Sequence, residues 1–580
     1  MPGGIGDWEE HMRKSWAQLY APFLVIALVQ AMFIAVAPSR GHDTLATTGP
    51  TGALSQSGGE TGGDGLTGDG AALAPDGSSV GSTGSGGATG TGSQSVNTVA
   101  GGTAKAAASG STAHCKNGHQ FELVLNNAAP CTPKFSGDNG GATYQGVTKD
   151  TVKVILFSAT PNEQVNAILG VKGLATSEED SKAFNAAAIS FINKHYELYG
   201  RKIVLEEVVG DCPTTPPDYD KCNAAAQEVV KKKPALIVWV TSLYASVFDI
   251  WAKAGIPSIG GSAFDAKYYN DRRPYRYDVA MGGTEAADHI AEYYCKKMVS
   301  SNADHSGRVI HPQIGARGNV KRRLGIVVPE IEANVATAQR VASKVKACAG
   351  GDSPIFTYAS DIEKANEQTQ ATVANLIQNK VTTVVCMCDP IAPVFLTTGM
   401  TKNSYFPEFL LPGLGLLDYD LLGQLYDPQQ MQHAFGPSHL AQPLTLDAGD
   451  PALVWRSEGH SGHACGNNGC GLNWAFLNAA GIAIQAAGAN YTPLTLERGM
   501  LTLPPQGGWE PKHNPSAVLY KYGPNDYTGT SDVREVYWSS TATTPTDGSK
   551  GAYLATDGGK RYELGHWPSN GLGAIPVAPN

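Results

Sequence analysis

The sequence has no excess of basic residues, since 43 Lys and Arg stand against 52 Asp and Glu and give a formal net charge of -9 at pH 7. Proteins that bind nucleic acids generally present a basic surface to the phosphates, so the composition disfavours that class. The sequence also lacks a phosphate-binding loop, a paired-histidine metalloprotease motif and the kinase signatures. These absences point away from the commonest nucleotide-dependent and metal-dependent enzymes.

Charged side chains are also missing from residues 16–37. A helix of this length can cross a hydrocarbon core of about 30 Å, and Arg13 and Lys14 before it predict that the following chain is exported. We therefore expect a membrane anchor here. A small-residue site ending at Ala37 leaves a cleaved signal peptide as the alternative, which Pro38 directly after it disfavours. No cysteine lies nearby to carry a lipid.

Residues 41–112 contain little that could be buried, because Gly, Ser, Thr and Ala dominate them. This composition predicts a disordered linker, which as a coil would reach about 45 Å. Residues 113–143 follow as a small segment with two cysteines. An oxidising compartment favours a Cys115–Cys131 disulfide. The alternative is a zinc site formed by His114, Cys115, His119 and Cys131.

Apolar runs typical of buried parallel strands begin after Asp150, the first of them at residues 152–157. Segments of helical periodicity alternate with the runs that follow, and the pattern restarts at residues 323–328. The chain therefore contains two successive series of alternating strands and helices, each too short for a large enzyme domain. This pattern predicts two lobes, each with a parallel sheet. The strand ends of the lobes would then face each other across a cleft.

The chain resembles the extracytoplasmic solute-binding proteins of the branched-chain amino acid-binding type, which are receptors of ABC transporters. The segments that are similar to the family's first strand, fourth strand, first two crossovers, return helix and closing strand are residues 146–161, 254–264, 277–281, 433–439, 473–487 and 533–538. The resemblance implies an α/β, two-lobed type I periplasmic-binding-protein fold. Each lobe would be a mostly parallel sheet flanked by helices, with three hinge crossovers between the lobes.

The resemblance also implies domain boundaries and partners. After the N-terminal region 1–40, the linker 41–112 and the segment 113–143, lobe I would comprise residues 144–281 and 440–510, and lobe II residues 282–439 and 511–580. The protein would be extracytoplasmic and not an enzyme, with no cofactor. It would bind a small organic ligand and an ABC permease, but no nucleic acid. A sensory or structural binding module of the same fold is the alternative.

Loops at the strand ends would supply the ligand-binding residues. By resemblance these are, from the first lobe, Asn162, Gln164, Ser242, Tyr244, Ser262, Ala263 and Phe264, and from the second, Glu332 and Asp389. Family members that take amino acids hold the ammonium group with an acid after the strand that matches residues 409–411. That acid is absent here, and Asp418 lies a few residues beyond, so a different organic solute is at least as well supported.

The most enzyme-like stretch is residues 458–470, although it does not match the Gly-x-Ser-x-Gly nucleophile motif. A zinc hydrolase using His460, His463, Cys465 and Cys470 is one hypothesis. A surface loop closed by a Cys465–Cys470 disulfide is favoured, as is a local Cys212–Cys222 bond. Cys386 and Cys388 share one face of a strand, and they are left either as free thiols or linked to Cys295 or Cys348.

Overall fold

The computed structural model describes residues 110–122, 127–239, 244–261 and 263–579. The predicted membrane segment at residues 16–37 and nearly all of the predicted linker lie outside these ranges. Within the described part of the chain, no helix has the length and apolar character needed to cross a membrane.

The first lobe is built on a parallel sheet in the order β2-β1-β3-β4-β5. Strand β1, which lies between β2 and β3, is buried along residues 154–157, as the apolar run there predicts. The strands described are β1 (Thr151–Ser158), β2 (Lys202–Val209), β3 (Leu236–Trp239), β4 (Ser258–Ile259) and β5 (Arg276–Tyr277).

Helices flank this sheet, and short polar side chains begin several of them. Ser177 accepts a hydrogen bond from the Asp180 N–H, and Asp218 accepts one from the Lys221 N–H. The helices are α1 (Glu163–Gly170), α2 (Glu178–His195), α3 (Tyr219–Lys231), α4 (Ala245–Lys253) and α5 (Ala266–Asp271).

The second lobe contains a larger sheet in the order β14-β13-β12-β11-β10-β8-β9, with β15 paired to β13. Strands β8 to β12 pair in parallel, whereas β13 and β14 are antiparallel to their neighbours. The strands of this sheet are β8 (Leu324–Pro329), β9 (Ile355–Tyr358), β10 (Thr383–Cys386), β11 (Glu408–Leu410), β12 (Ala434–Ser438), β13 (Asp532–Thr543), β14 (Lys550–Ala555) and β15 (Arg561–Glu563). A separate antiparallel pair consists of β6 (Val309–His311) and β7 (Gly315–Ala316).

The remaining helices belong to both lobes. Those around the second sheet are α6 (Gly283–Tyr293), α7 (Glu332–Ala349), α8 (Ala365–Gln378), α9 (Ala392–Lys402), α10 (Asp420–Gly423) and α11 (Pro428–Met431). The chain then returns to the first lobe with α12 (Asp450–Ser457), α13 (Gly471–Ala487) and α14 (Pro493–Leu501). Helix α13 is apolar and buried along most of its length, and it belongs to the same hydrophobic core as β1 and α2.

The chain passes between the lobes three times, after β5, after β12 and before β13. The first and third passages lie side by side, because the Asp278 N–H donates to the Tyr527 carbonyl over 3.0 Å. This pairing takes the backbone beyond Tyr277 out of the first sheet. Strand β5 therefore ends at Tyr277. The fold is thus the predicted α/β arrangement of two mostly parallel sheets.

All ten cysteines lie in the described part of the chain and form five disulfides. Three are the predicted local bonds, Cys115–Cys131, Cys212–Cys222 and Cys465–Cys470. The four cysteines whose pairing was open form Cys295–Cys348 and Cys386–Cys388. Cross-links between these two pairs, and free thiols, are therefore wrong. Both zinc alternatives also lose their sulfur ligands, since zinc binds thiolates.

Candidate functional site

The first predicted binding loop follows β1 and leads into α1. The Asn162 side-chain oxygen accepts from the Val165 N–H at 3.0 Å and caps the helix, while its amide donates to the Thr215 carbonyl at 3.0 Å. Gln164 is exposed in the first turn of α1. Asn162 is therefore used by the fold itself, and a ligand role for either residue stays a prediction.

Aromatic stacking organises the other predicted loops of the first lobe. Tyr244 is buried and lies against Tyr219, with ring centroids 4.2 Å apart. Phe264 is buried and stacks on Tyr268 at 4.0 Å, and Ala263 precedes it in the chain. Both rings belong to the hydrophobic core of the first lobe, and a ligand role for Tyr244, Ala263 or Phe264 stays a prediction. Two further predicted ligand residues, Ser242 and Ser262, lie outside the described residues.

The two residues predicted from the second lobe have different surroundings. Glu332 is exposed at the start of α7. Asp389 accepts from the N–H groups of Ile391 and Ala392 at 2.9 and 3.0 Å, and from the Tyr358 hydroxyl at 2.7 Å. The Asp389 carboxylate therefore has its hydrogen-bonding needs met within the protein.

Asp418 is in the opposite situation. It is 3% exposed, and both of its carboxylate oxygens are buried without a hydrogen-bond partner in the described structure. Burying a carboxylate without a hydrogen-bond partner is costly, so Asp418 is a candidate for binding a polar ligand. In the sequence, Asp418 lies a few residues beyond the position where the resemblance predicts an acidic ligand residue.

The loop that carries Asp418 lies at the carboxyl edge of the second sheet. Its course depends on Gly413 and Gly415, which have φ values of +62° and +65°. A side chain at Gly415 would come within 2.7 Å of the Cys388 carbonyl, just beyond β10. Glycine at these positions lets the loop turn closely over the strand ends. In open α/β sheets this edge is where ligands bind.

Further buried polar groups surround Asp418, and we call this set the Asp418 cluster. Ser438 Oγ and His439 Nδ1 are buried and have no hydrogen-bond partner in the described structure. The cluster consists of Asp418, Asp420, Ser438, His439 and Arg534. It therefore offers acceptors, a hydroxyl and an imidazole to a polar guest.

Charges in the Asp418 cluster act on one another. Burial lowers the pKa of His439, and the Asp418 carboxylate opposes that shift. Burial also lowers the pKa of Arg534 to about 10, with Arg561 adding to the effect. The pKa of Asp420 is raised by burial, although Tyr553 donates its N–H to this carboxylate at 2.8 Å. The cluster thus contains charge that a ligand could complement.

The two lobes contact each other near this edge. The Ile362 N–H of the second lobe donates to Thr215 Oγ1 of the first lobe over 3.1 Å. Ala333, at the start of α7, packs against the hydrophobic core of the first lobe. A hydrogen bond and an apolar contact therefore join the two lobes beside the strand ends.

Another concave region lies on the first lobe between α2 and β2. It has a volume of about 680 Å³, and its lining includes Asn185, Ser190, Lys194 and Glu207. None of its lining residues belongs to the Asp418 cluster. In the described part of the chain, no group of three His, Cys, Asp or Glu side chains is arranged to hold a metal ion.

Known proteins resemble this chain in structure only. No protein-family model and no curated protein matches the sequence. A fatty acid ABC transporter substrate-binding protein from Thermomonospora curvata superposes with a TM-score of 0.50 and 14% identity, over 76% of this chain and 98% of its own. A type 1 periplasmic binding protein from Bordetella pertussis Tohama I gives a TM-score of 0.48 and 15% identity, over 70% of this chain and 100% of its own. At this identity the likeness establishes the two-lobed type I periplasmic binding protein fold.

Proposed function

We propose that this chain, which has the type I periplasmic binding protein fold, is an extracytoplasmic receptor for a small organic solute. The solute would bind between the lobes and be delivered to an ABC importer. The observation that carries the proposal is the buried Asp418 carboxylate, which lacks a protein partner at the carboxyl edge of the second sheet.

The chemistry of the Asp418 cluster suggests which solutes to test. A carboxylate accepts hydrogen bonds and attracts cations, so the solute should carry a protonated amine or another strong hydrogen-bond donor. Ser438 and His439 could accept or donate further hydrogen bonds to its polar end. The predicted loops of the first lobe, with Tyr244 and Phe264, would cover the rest of the molecule.

The N-terminal segment supports the cellular placement. An uncharged run at residues 16–37, followed by a long linker, would keep the receptor near the membrane that holds its permease. Five disulfides agree with an oxidising compartment. Membrane tethering and delivery to an importer therefore belong to this proposal.

A thermal-shift screen of the full chain against small metabolites tests the proposal. A solute at a hundredfold excess over its Kd should stabilise the protein by about 2.7 kcal/mol, which raises the melting midpoint. The Asp418→Asn variant should lose the response to that solute, whereas Asp352→Asn, at an exposed position of the second lobe, should keep it. If no compound class raises the midpoint, the receptor proposal is wrong.

A sensory or structural module of the same fold remains the second candidate, because nothing in the cleft itself requires transport. The two are separated by uptake. If the protein serves an importer, cells that lack it should no longer take up the identified solute. Unchanged uptake together with tight binding would favour the sensory module.

A further inference from the structure

The turn from Cys465 to Cys470, which we call the 465–470 turn, is anchored in the first lobe. Both cysteines are buried in the first hydrophobic core, and their disulfide closes the turn just before α13. Within the turn, the Asn468 N–H donates to the Cys465 carbonyl and the Gly469 N–H to the Gly466 carbonyl, each at 3.1 Å. The turn is therefore a short, cross-linked element.

Two asparagine side chains of the turn hold the segment that follows α1. The Asn467 amide donates to the Lys172 carbonyl over 2.9 Å, and the Asn468 amide donates to the Leu174 carbonyl over 3.1 Å. The Leu174 N–H in turn donates to the Leu169 carbonyl at 3.0 Å. The turn thus fixes the backbone of residues 172–174.

Leu174 belongs to the first lobe by sequence, but its side chain is buried in the second lobe. It is 7% exposed and packs in the same hydrophobic core as Leu417 and Phe409. Leu169, near the end of α1, packs against this core as well. Separating the lobes would expose this apolar surface to water, which opposes opening.

The second lobe also makes direct hydrogen bonds to the turn. The Tyr419 hydroxyl donates to the Asn467 carbonyl over 3.3 Å. The Asn467 amide lies 3.3 Å from Asp547 Oδ2, at the tip of the β13–β14 hairpin. Asn467 therefore contacts both lobes, directly beside the loop that carries Asp418.

We propose that the 465–470 turn is a latch that holds the two lobes together beside the Asp418 cluster and controls how readily the cleft opens. To open the cleft, Asn467 must lose its hydrogen bonds with Tyr419 and Asp547 of the second lobe. Leu174 must also leave the hydrophobic core of that lobe. The disulfide keeps Asn467 and Asn468 in position to make these contacts. The latch acts on the lobes whether or not a solute is bound, so it goes beyond the proposed function.

Hydrogen–deuterium exchange of the full chain tests the latch without a solute. Tyr419→Phe removes the hydroxyl donor from the second lobe, and Asn467→Ala removes the amide that contacts both lobes. Each variant should speed exchange about fivefold in peptides covering residues 169–176 and 412–419, since losing one ordinary hydrogen bond shifts an opening equilibrium by about that factor. Asn379→Ala is the matched control, because its amide donates to the Asn375 carbonyl within the second lobe.

Three results would overturn the latch. The first is an unchanged exchange rate in both peptides for Tyr419→Phe. The second is faster exchange confined to residues 465–470 in Asn467→Ala. The third is an equally large rise in the exchange rate of both peptides in the control Asn379→Ala. If Asn467→Ala unfolds the protein, exchange in β1 and β8 will rise as well, and Tyr419→Phe alone then decides. A failed solute screen leaves this result unaffected, so the two proposals fail independently.

Discussion

Two aspartates at the carboxyl edge of the second sheet have opposite hydrogen-bonding environments. Asp389 accepts hydrogen bonds from the N–H groups of Ile391 and Ala392 and from Tyr358, whereas Asp418 is buried with no hydrogen-bond partner in the described structure. A protein that retains a costly buried carboxylate gives up stability at that site, and such sites commonly serve a function. This difference supports the proposed ligand role of Asp418, and the ligand role predicted for Asp389 stays a prediction.

Replacing Asp418 by Asn should therefore stabilise the solute-free protein. Removing a buried carboxylate that accepts no hydrogen bond should raise the free energy of unfolding by about 1 kcal/mol, even though the attraction of Arg534 is lost. Asp389→Asn should lower it by about 1 kcal/mol, because a satisfied acceptor is lost. Chemical denaturation of both variants measures the difference. A destabilised Asp418→Asn variant would mean that Asp418 is stabilising within the protein.

Glu285 on α6 predicts a pH dependence at the hinge. Burial, reinforced by the carboxylates of Asp526 and Asp532, raises its pKa to about 8. A carboxyl whose pKa is higher in the folded state loses its contribution to stability as the pH rises from its ordinary pKa towards 8.

Glu285→Gln should therefore raise the melting temperature relative to wild type at pH 8, and have little effect at pH 4. Glu332→Gln, at an exposed position, is the control and should have little effect at either pH. Melting curves across this range provide the test. Equal shifts for Glu285→Gln at both pH values would contradict the raised pKa.

At the scale of elements, the sequence predicted strands well where burial on both faces forces an apolar run. Residues 154–157 of β1 and the core strands β8 and β10 are of this kind. The three disulfides that close local loops were also predicted, whereas the Cys386–Cys388 bond within one strand end was not. The Cys295–Cys348 bond was not predicted either, because it joins segments 53 residues apart whose packing no local pattern reveals.

The polar site was harder to predict than the strands. Asp418 depends on a loop whose path is set by left-handed glycines and by contacts with strand ends distant in the sequence. Asn162 has a structural role that the sequence pattern did not predict. A polar residue at a strand end reads as a ligand group, but here it also begins a helix, and its side-chain oxygen serves the backbone.

The segment after α1 gives a prediction at this scale. Leu174→Ala removes an apolar contact between the lobes, but the lobes can shift to fill part of the space that the side chain leaves. We expect Leu174→Ala to lower the free energy of unfolding by about 1–2 kcal/mol. Leu410→Ala should lower it by about 2–5 kcal/mol, because it leaves a cavity in the core beside β11. Urea denaturation of the two variants compares these costs. Equal costs would mean that Leu174 behaves as an ordinary core residue.

At the scale of the whole molecule, three chain passages and a disulfide-closed turn connect two sheets with separate cores. Hinged lobes of this kind close around ligands by rotation about a few residues. The predicted domain boundaries and the N-terminal anchor remain predictions. The receptor account depends on the cleft being the place where a guest molecule binds.

Hydrogen–deuterium exchange of the full chain, with and without a stabilising solute from the screen, tests that claim most directly. The account predicts slower exchange in residues 411–419 of the second lobe together with residues 169–176 of the first. Protection confined to the groove between α2 and β2, with residues 411–419 unchanged, would contradict it.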